Sequence, residues 1–243
     1  MRVPRDERPV SAVPAWIWIA FSVLALAQAG GTMLRGAATP SAQDLPPAPQ
    51  PAVLRAMALG EGSLLARLTM LWLQAYDLSG ANVIAYRKLD YTRLLGWLRA
   101  ALAADPRSEY PLFSAARIYA ENPDPVKSRA ALEFIHEAFL QDPDRRWPWL
   151  AHASLLAKHH LRDLPLARRY ASEVARLATS PDVPDWARQM EVFVLEDMNE
   201  LDAAKVLLGA MLEGGRIRDP AERRFLELKL QELEQKTGNV GKR

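Results

Sequence analysis

The side chains to consider first as metal ligands or acid–base groups are the four histidines, which are His136, His152, His159 and His160. His152 and His159 are seven residues apart, so a helix would carry both on one face, with Asp163 or Glu191 as an imaginable further ligand. The tighter pattern of two histidines four residues apart with a glutamate between them is missing. We therefore predict that the histidines are surface and groove residues and that there is no metal site.

The sequence also lacks the patterns of covalent and phosphate chemistry. No serine stands in a G-x-S-x-G turn, and the glycine-containing stretches 59–63 (LGEGS) and 212–216 (LEGGR) lack the lysine and the preceding strand of a phosphate-binding loop. The neighbouring carboxylates Glu196 and Asp197, like Glu232 and Glu234, are predicted to lie at helix ends or on polar faces. The sequence thus predicts no catalytic centre and no cofactor, and a protein that is not an enzyme.

Composition and charge narrow the class of partner. The chain has 243 residues, of which 49% are hydrophobic and 25% charged, and this is typical of one globular domain with appendages. Its 31 basic side chains are balanced by 29 acidic ones, so no nucleic-acid partner is indicated. No small-molecule substrate is expected either. Arginine greatly outnumbers lysine, and with abundant alanine and leucine this points to a bacterial source. The absence of cysteine excludes disulfides, thiol catalysis and a lipid-modified N-terminal cysteine.

The N-terminal region predicts export from the cytoplasm. Residues 1–10 contain Arg2, Arg5 and Arg8 and form a short cytoplasmic tail, and residues 11–34 have no charged side chain. About 20 apolar residues are enough to cross ~30 Å of hydrocarbon, so we predict a transmembrane signal-anchor over 11–34 in the bacterial inner membrane, with the C-terminal domain in the periplasm. The alternative is a signal peptide cleaved after Ala27-Gln28-Ala29, which would leave a soluble periplasmic protein.

A proline- and alanine-rich stretch follows this apolar segment. Residues 35–52 contain five prolines and few large apolar side chains. Such a composition cannot form a core, so the stretch is predicted to be a semi-extended linker.

From Val53 onward the chain shows the three- and four-residue apolar spacing of helices, and it contains a repeat. When residues 131–153 are aligned with residues 94–116 at an offset of 37, Asp142-Pro143 matches Asp105-Pro106, and Trp147-Pro148 matches Tyr110-Pro111. Small residues continue the period, with alanines at 131, 167 and 203. A fixed period of helical segments predicts an all-α fold of stacked helical hairpins.

Helix boundaries follow from the breaks in this pattern. Asp124 before Pro125 and Asp219 before Pro220 are helix-start signals. The predicted pairs are 63–78 with 91–104, 110–121 with 126–141, 148–160 with 164–178, and 186–197 with 201–213. A terminal helix is predicted over 220–236, and residues 237–243 are predicted to be a disordered tail.

The repeat resembles the tetratricopeptide (TPR) family. Ala131, Ala138 and Pro143 are spaced as in that family's second helix and its exit, and Trp149 lies where the first helix usually shows tryptophan, followed by His152-Ala153 and Leu156. The period of 36–39 residues instead of 34, Tyr119 at a usually small position and Leu94 at an expected alanine depart from the pattern. The resemblance implies a TPR-like α-solenoid over residues 53–236 that binds proteins or peptides, and it implies no reaction.

In that family the first helix of each pair lines the concave face, so its polar and aromatic positions become candidates for partner contact. The predicted groove residues are Arg117, Trp149, His152, His159, Arg188 and Glu196. The stretch DPDRRWPW (142–149) is interpreted mainly as the junction between two hairpins, with Trp149 beyond it. Trp72 and Tyr76, four residues apart, are predicted to belong to the core.

Three functions compete at this point. The first is a membrane-tethered periplasmic scaffold or adaptor that binds another envelope protein or peptide and supports complex assembly. The second is an envelope hydrolase acting on cell-wall polymer, for which no catalytic acid can be named. The third is a structural subunit of a larger membrane complex, in which the concave face is filled by the chain's own N-terminal tail.

Overall fold

A computed structural model describes residues 14–34, 45–78, 86–214, 217 and 219–240. Within these ranges the chain forms eleven α-helices and no strand, so the predicted all-α class is confirmed. The chain divides into two units, residues 1–40 and residues 41–243, and each is described by itself.

The first unit contains α1 (Ala15–Leu34). Its large apolar side chains, among them Trp16, Phe21 and Leu24, are exposed. Of the residues that the structure describes, no helix combines the length and the apolar character needed to cross a membrane, so the predicted transmembrane helix is not supported. Residues 1–13 of the predicted tail and anchor lie outside the described ranges.

The second unit contains the other ten α-helices. Their bounds are α2 (Pro51–Ala58), α3 (Gly62–Leu78), α4 (Tyr91–Ala104), α5 (Tyr110–Ser114), α6 (Pro125–Gln141), α7 (Pro143–His159), α8 (Leu164–Leu177), α9 (Asp185–Asp197), α10 (Leu201–Glu213) and α11 (Pro220–Val240). A short 3₁₀ helix, Tyr86–Lys88, precedes α4. Most of these bounds lie within one residue of those predicted. The last helix continues to Val240, past the predicted start of the tail at residue 237.

Aspartate caps explain why several helices begin where they do. The Asp90 carboxylate accepts the backbone N–H groups of Thr92 and Arg93 at the start of α4. Asp124 and Asp163 cap α6 and α8 in the same manner, and each of these two helices carries a proline in its first turn. Side-chain caps satisfy backbone donors that a helix start leaves unpaired.

The segment predicted as one helix over 110–121 has an irregular centre. Ser114 ends α5, and Ala115–Tyr119 continue as a π-helical turn in which Ala120 N–H bonds to the Ala115 carbonyl. The Tyr91 hydroxyl donates to the Tyr119 carbonyl at 2.9 Å, so the wider turn is fixed by a tertiary contact from α4. A π-turn is not visible in residue spacing, because it depends on that contact.

Helices that follow one another in the chain pack together from α3 to α11, and the polar contacts between them have a regular separation. Many join side chains 33 to 40 residues apart; examples are Arg99 with Glu137, Arg129 with Asp163, Arg169 with Glu133, His160 with the Asn122 carbonyl and Lys236 with Glu196. This separation matches the 36–39-residue period of the sequence. Ala131 and Ala167, which carry the period, are fully buried, as close helix approach requires.

The interior consists of two clusters. The larger runs from α3 to α9 and includes the buried side chains of Leu98, Phe134, Phe139 and Tyr170. The smaller cluster joins α9, α10 and α11, and its buried members are Val192, Leu195, Ala204, Leu208, Leu226 and Leu233. The last helix is thus fastened to the array by apolar packing as well as by charge.

The C-terminal part of the predicted linker packs onto the body. In the segment Leu45–Gln50, which we call the strap, the Leu45 side chain is 0% exposed. Arg93 donates to the Leu45 carbonyl at 2.7 Å, and the indole N–H of Trp97 donates to the Pro46 carbonyl at 2.8 Å. A proline-rich segment has free carbonyls and few N–H groups, so donors from a neighbouring helix can hold it in an extended form. The strap therefore differs from a free tether, because its packing contributes to the free energy of unfolding.

Leu45→Ala is expected to lower the free energy of unfolding by about 2–4 kcal/mol, because it removes a fully buried side chain and leaves a cavity. Urea unfolding followed by circular dichroism measures the change. Leu228→Ala, at an exposed position of α11, is the matched control and should change stability by less than about 0.5 kcal/mol. Equal effects of the two substitutions would show that the strap does not pack on the body in solution.

Candidate functional site

A row of aromatic side chains crosses three helices at successive positions of the array. The Phe113 ring of α5 meets the Trp149 ring of α7 edge-on, with 6.1 Å between centroids. The Trp147 ring of α7 meets Trp186 of α9 in the same way, at 5.4 Å. We call these four side chains the aromatic row. Trp147 and Trp149 flank Pro148, so the row consists of two aromatic pairs, one between α5 and α7 and one between α7 and α9, on either side of this proline.

The first turns of α7 set the position of the row. The helix begins at Pro143, five residues earlier than predicted, so most of the stretch interpreted as a junction is helical. Pro143 occupies the first helical position, where its missing N–H costs nothing. Two arginines hold the start: both Arg145 and Arg146 donate to the Pro106 carbonyl, at 2.8 and 3.0 Å. Pro148 lies inside the helix and is exposed, so its ring faces solvent between the two tryptophans.

The row is amphipathic and accessible at both ends. Phe113 is 45% exposed and Trp186 54% exposed, whereas Trp147 and Trp149 are half-buried. Half-buried tryptophans are already ordered by their neighbours, so they lose little side-chain freedom when they bind. Aromatic residues of this kind are enriched at the centres of protein interfaces.

Arg117 and His152 lie beside the Phe113–Trp149 end of the row. Arg117 is exposed, and His152 on α7 is half-buried. Burial, reinforced by the charge of Arg117, lowers the pKa of His152 below its usual value, so the ring is neutral at pH 7. Its Nε2 atom is buried and has no hydrogen-bond partner among the described residues. This end of the site therefore offers one fixed positive charge and a neutral ring.

The remaining three predicted groove residues lie elsewhere. His159 is exposed at the last position of α7, and ten residues of helix separate it from Trp149 by about 15 Å. Arg188 donates to the carbonyls of Ala178 and Ser180 and pairs with Asp185, so it holds the turn between α8 and α9. Each of its three guanidinium nitrogens thus binds a group of its own hairpin turn.

Glu196 pairs with the terminal helix. Its two carboxylate oxygens bind the Nζ atoms of Lys229 and Lys236 at 2.7 and 2.6 Å. Burial alone would raise the pKa of this carboxyl, but the hydrogen bonds from the two lysines outweigh it, and the pKa lies below the usual value. Glu196 thus fastens α11 to α9.

Glu196→Gln is expected to lower the free energy of unfolding by about 1–2 kcal/mol at pH 7, because it removes the charge that both lysines bind. A carboxyl whose pKa is lower in the folded state stabilises above its unfolded pKa, near 4.5, and loses that contribution as pH falls through the folded value. The wild type and the variant should therefore converge towards pH 3 in urea unfolding. Glu234→Gln, at an exposed position of α11, serves as the control and should match the wild type at both pH values.

Sequence reasoning missed three members of the row, Phe113, Trp147 and Trp186, as binding candidates. The signal was present: Phe113 and Trp149 are 36 residues apart, and Trp147 and Trp186 are 39 apart. Aromatic side chains about one repeat period apart lie near each other on neighbouring hairpins. Trp147 was aligned with Tyr110 and interpreted only as packing between hairpins.

Outside the aromatic row, a polar cluster joins two helices and a cavity lies between three others. His136 contacts Glu173 at 2.5 Å and Glu133 at 3.5 Å, and Arg169 pairs with Glu133, so these charges join α6 to α8. A cavity of about 350 Å³ lies between α8, α9 and α10, walled mainly by apolar side chains such as Leu207 and Met211. Among the residues the structure covers, no three potential ligands are grouped to hold a metal ion.

Comparisons of the chain with models of protein families, with curated proteins and with solved structures gave no match.

Proposed function

We propose that this protein is an adaptor that binds an extended segment of another protein along its aromatic row. The observation that carries the proposal is the row itself: four aromatic side chains on α5, α7 and α9, exposed at both ends and flanking an exposed proline. Large aromatic side chains give the most binding energy per residue in protein interfaces. Arg117 beside the row would select a segment that carries an acidic or carbonyl-rich position.

We also propose that the helices form a TPR-like array of stacked hairpins. Polar contacts one period apart are what a TPR-like array of stacked hairpins would produce, because each unit contacts its neighbours at corresponding positions. A row of aromatic side chains that recurs at the same period supports binding of a segment that runs across several hairpins.

We propose further that the protein is located in the cell envelope. The arginines at positions 2, 5 and 8 and the uncharged stretch over 11–34 support an envelope protein whose helical array lies in the periplasm. The intact mass of the protein recovered from its native cells tests the N-terminal processing. A mass that lacks residues 1–29 identifies a cleaved signal peptide, and the full mass identifies a retained N-terminal segment.

Site-specific photo-crosslinking in the native cells tests the binding surface. A photoreactive phenylalanine analogue at position 113 should give one discrete adduct with another protein, because this ring lies at the open end of the row. The same analogue at Val206, which is 73% exposed on α10 and outside the row, is the matched control and should give none.

A second variant tests whether the adduct depends on the aromatic row. Trp149→Ala in the position-113 protein should reduce the adduct at least tenfold, since hot-spot tryptophans contribute about 2 kcal/mol or more. An adduct equally strong from position 206, or one insensitive to Trp149→Ala, would refute binding at the aromatic row.

A further inference from the structure

A second exposed apolar surface lies on α2 and α3, far along the chain from the aromatic row. Its members, which we call the apolar stripe, are each between 48% and 59% exposed: Val53, Met57, Leu64, Leu68 and Leu71. Single exposed apolar residues are ordinary, but five on two consecutive helices form a surface that needs a partner.

The link between α2 and α3 holds a backbone conformation that is rarely adopted. Leu59 has φ of 46° and Gly60 has φ of 91°, so both residues are in the left-handed region. A leucine there is uncommon, because its Cβ crowds the following carbonyl. The Leu59 side chain is also 90% exposed, so tertiary packing does not compensate for this conformation. The link is therefore a hinge whose backbone strain is relieved when it opens.

Opening the hinge has a specific geometric result. If residues 59–61 adopt helical angles, α2 and α3 become one helix from Pro51 to Leu78. At 100° per residue, all five members of the apolar stripe then fall within an arc of about 60°. A narrow, continuous apolar stripe on a long helix is the pattern that pairs with another helix of the same kind. The present bend divides this stripe into two parts.

The strap indicates what the partner is. When the hinge opens, residues 45–58 leave their own body, and the groove on α4 loses the bonds from Arg93 to the Leu45 carbonyl and from Trp97 to the Pro46 carbonyl. The same segment of a second copy restores these contacts atom for atom. Exchange between identical chains therefore costs no groove contacts, relieves the hinge and gives the apolar stripe a counterpart.

We propose that two copies of this chain exchange residues 45–58 through the Leu59–Gly60 hinge and pair along the apolar stripe. Each copy would contribute the fourteen exchanged residues and the three stripe residues of α3, together with the groove residues that receive its partner's segment. That is about 20 residues a side, which is the size of a stable interface. The dimer doubles the number of aromatic rows in one particle.

Two single-cysteine variants of the full chain test the exchange, because the natural chain has no cysteine. A Cβ placed on Gly96 of α4 would lie 3.4 Å from the Ala48 Cβ, close to the ~3.8 Å typical of a disulfide. Ala48→Cys and Gly96→Cys chains with different tags are co-expressed and oxidised. We expect a disulfide-linked mixed dimer on a non-reducing gel. Ala48→Cys co-expressed with Gly209→Cys, an open position on α10, should give none.

Variants of the hinge and of the apolar stripe test in which direction the amount of dimer changes. Gly60→Ala disfavours the left-handed link and favours a continuous helix, so it should raise the dimer-to-monomer ratio about fivefold. Gly209→Ala should leave that ratio unchanged. Leu68→Lys should reduce the mixed dimer strongly, and Leu228→Lys, equally exposed on α11, should not.

The proposal is overturned if no mixed dimer forms with either the natural or the Gly60→Ala hinge. If Gly96→Cys prevents folding, light scattering of the cysteine-free chain and of Gly60→Ala decides instead: a particle of 27.1 kDa for both overturns the exchange. A chain that stays monomeric and uses the stripe to float with lipid vesicles overturns it too.

Discussion

Replacing Arg146 by leucine is expected to lower the free energy of unfolding by about 3 kcal/mol, although arginine side chains usually lie on the surface. Arg146 is only 4% exposed. Its guanidinium donates to the Ala138 carbonyl at 2.7 Å and to the Pro106 carbonyl at 3.0 Å. Leucine leaves the buried Ala138 carbonyl without this donor and leaves Arg145 as the donor to the Pro106 carbonyl. A buried acceptor without a donor costs about 1–3 kcal/mol, and the second lost hydrogen bond from a charged group adds about 1.5 kcal/mol. Burial also lowers the pKa of this guanidinium, which remains charged at neutral pH.

The adjacent residue supplies a matched control. Arg145 also donates to the Pro106 carbonyl and pairs with Asp142, but about a third of its side chain is exposed, so water can replace these contacts. Arg145→Leu should cost no more than about 1 kcal/mol. Chemical denaturation of both variants at pH 7 measures the difference. Similar losses for the two would mean that Arg146 is hydrated in solution and does not join α7 to α6 and to the turn that follows α4.

Substituting Gly62 by alanine is expected to be equally damaging, with a loss of about 3 kcal/mol, for the opposite reason. A Cβ at this position would lie 2.2 Å from the Ala104 carbonyl oxygen, so the start of α3 and the end of α4 would have to separate. The obstacle is backbone, which cannot rotate away as a flexible side chain can. Core leucines that pack between these helices, such as Leu73 and Leu98, would lose contact as well.

Gly209→Ala separates this steric effect from helix propensity. Gly209 lies in α10 with no atom within 4 Å of an added Cβ, so the same substitution there should raise stability by about 0.5–1 kcal/mol. Thermal and urea unfolding of the two variants should thus shift in opposite directions. A stabilising Gly62→Ala would contradict the close approach of α3 and α4.

The helices were predictable from the sequence because their start signals are local. Asp124-Pro125 and Asp219-Pro220 mark helix starts through chemistry within one turn, and the structure begins α6 and α11 at those prolines. The start of α7 was predicted five residues too late. The sequence pattern predicts Pro148 as the first helical residue, whereas Pro143 has that role in the structure and Pro148 lies inside the helix. Two prolines five residues apart give the same local signal, and only packing distinguishes them.

The candidate site was predictable in part. Arg117 and His152 lie beside Trp149, whereas Arg188 and Glu196 are held by contacts that sequence spacing does not reveal. Arg188 holds a turn of its own hairpin, and Glu196 binds lysines more than thirty residues away. A charged side chain is assigned to a groove or to a structural pair only when its partner is known, and here the partners lie on other helices.

The regular one-period separation of the contacts has a consequence for how the protein unfolds. An array linked mainly between neighbours behaves as a row of coupled segments, so local opening spreads inward from the two ends. Amide hydrogen exchange should therefore be fastest in α2 and α11 and slowest in α6 to α8, where every hairpin has a neighbour on both sides. The strap and the lysines that bind Glu196 then stabilise opposite ends of the helical array. Releasing either one destabilises only the adjoining hairpin.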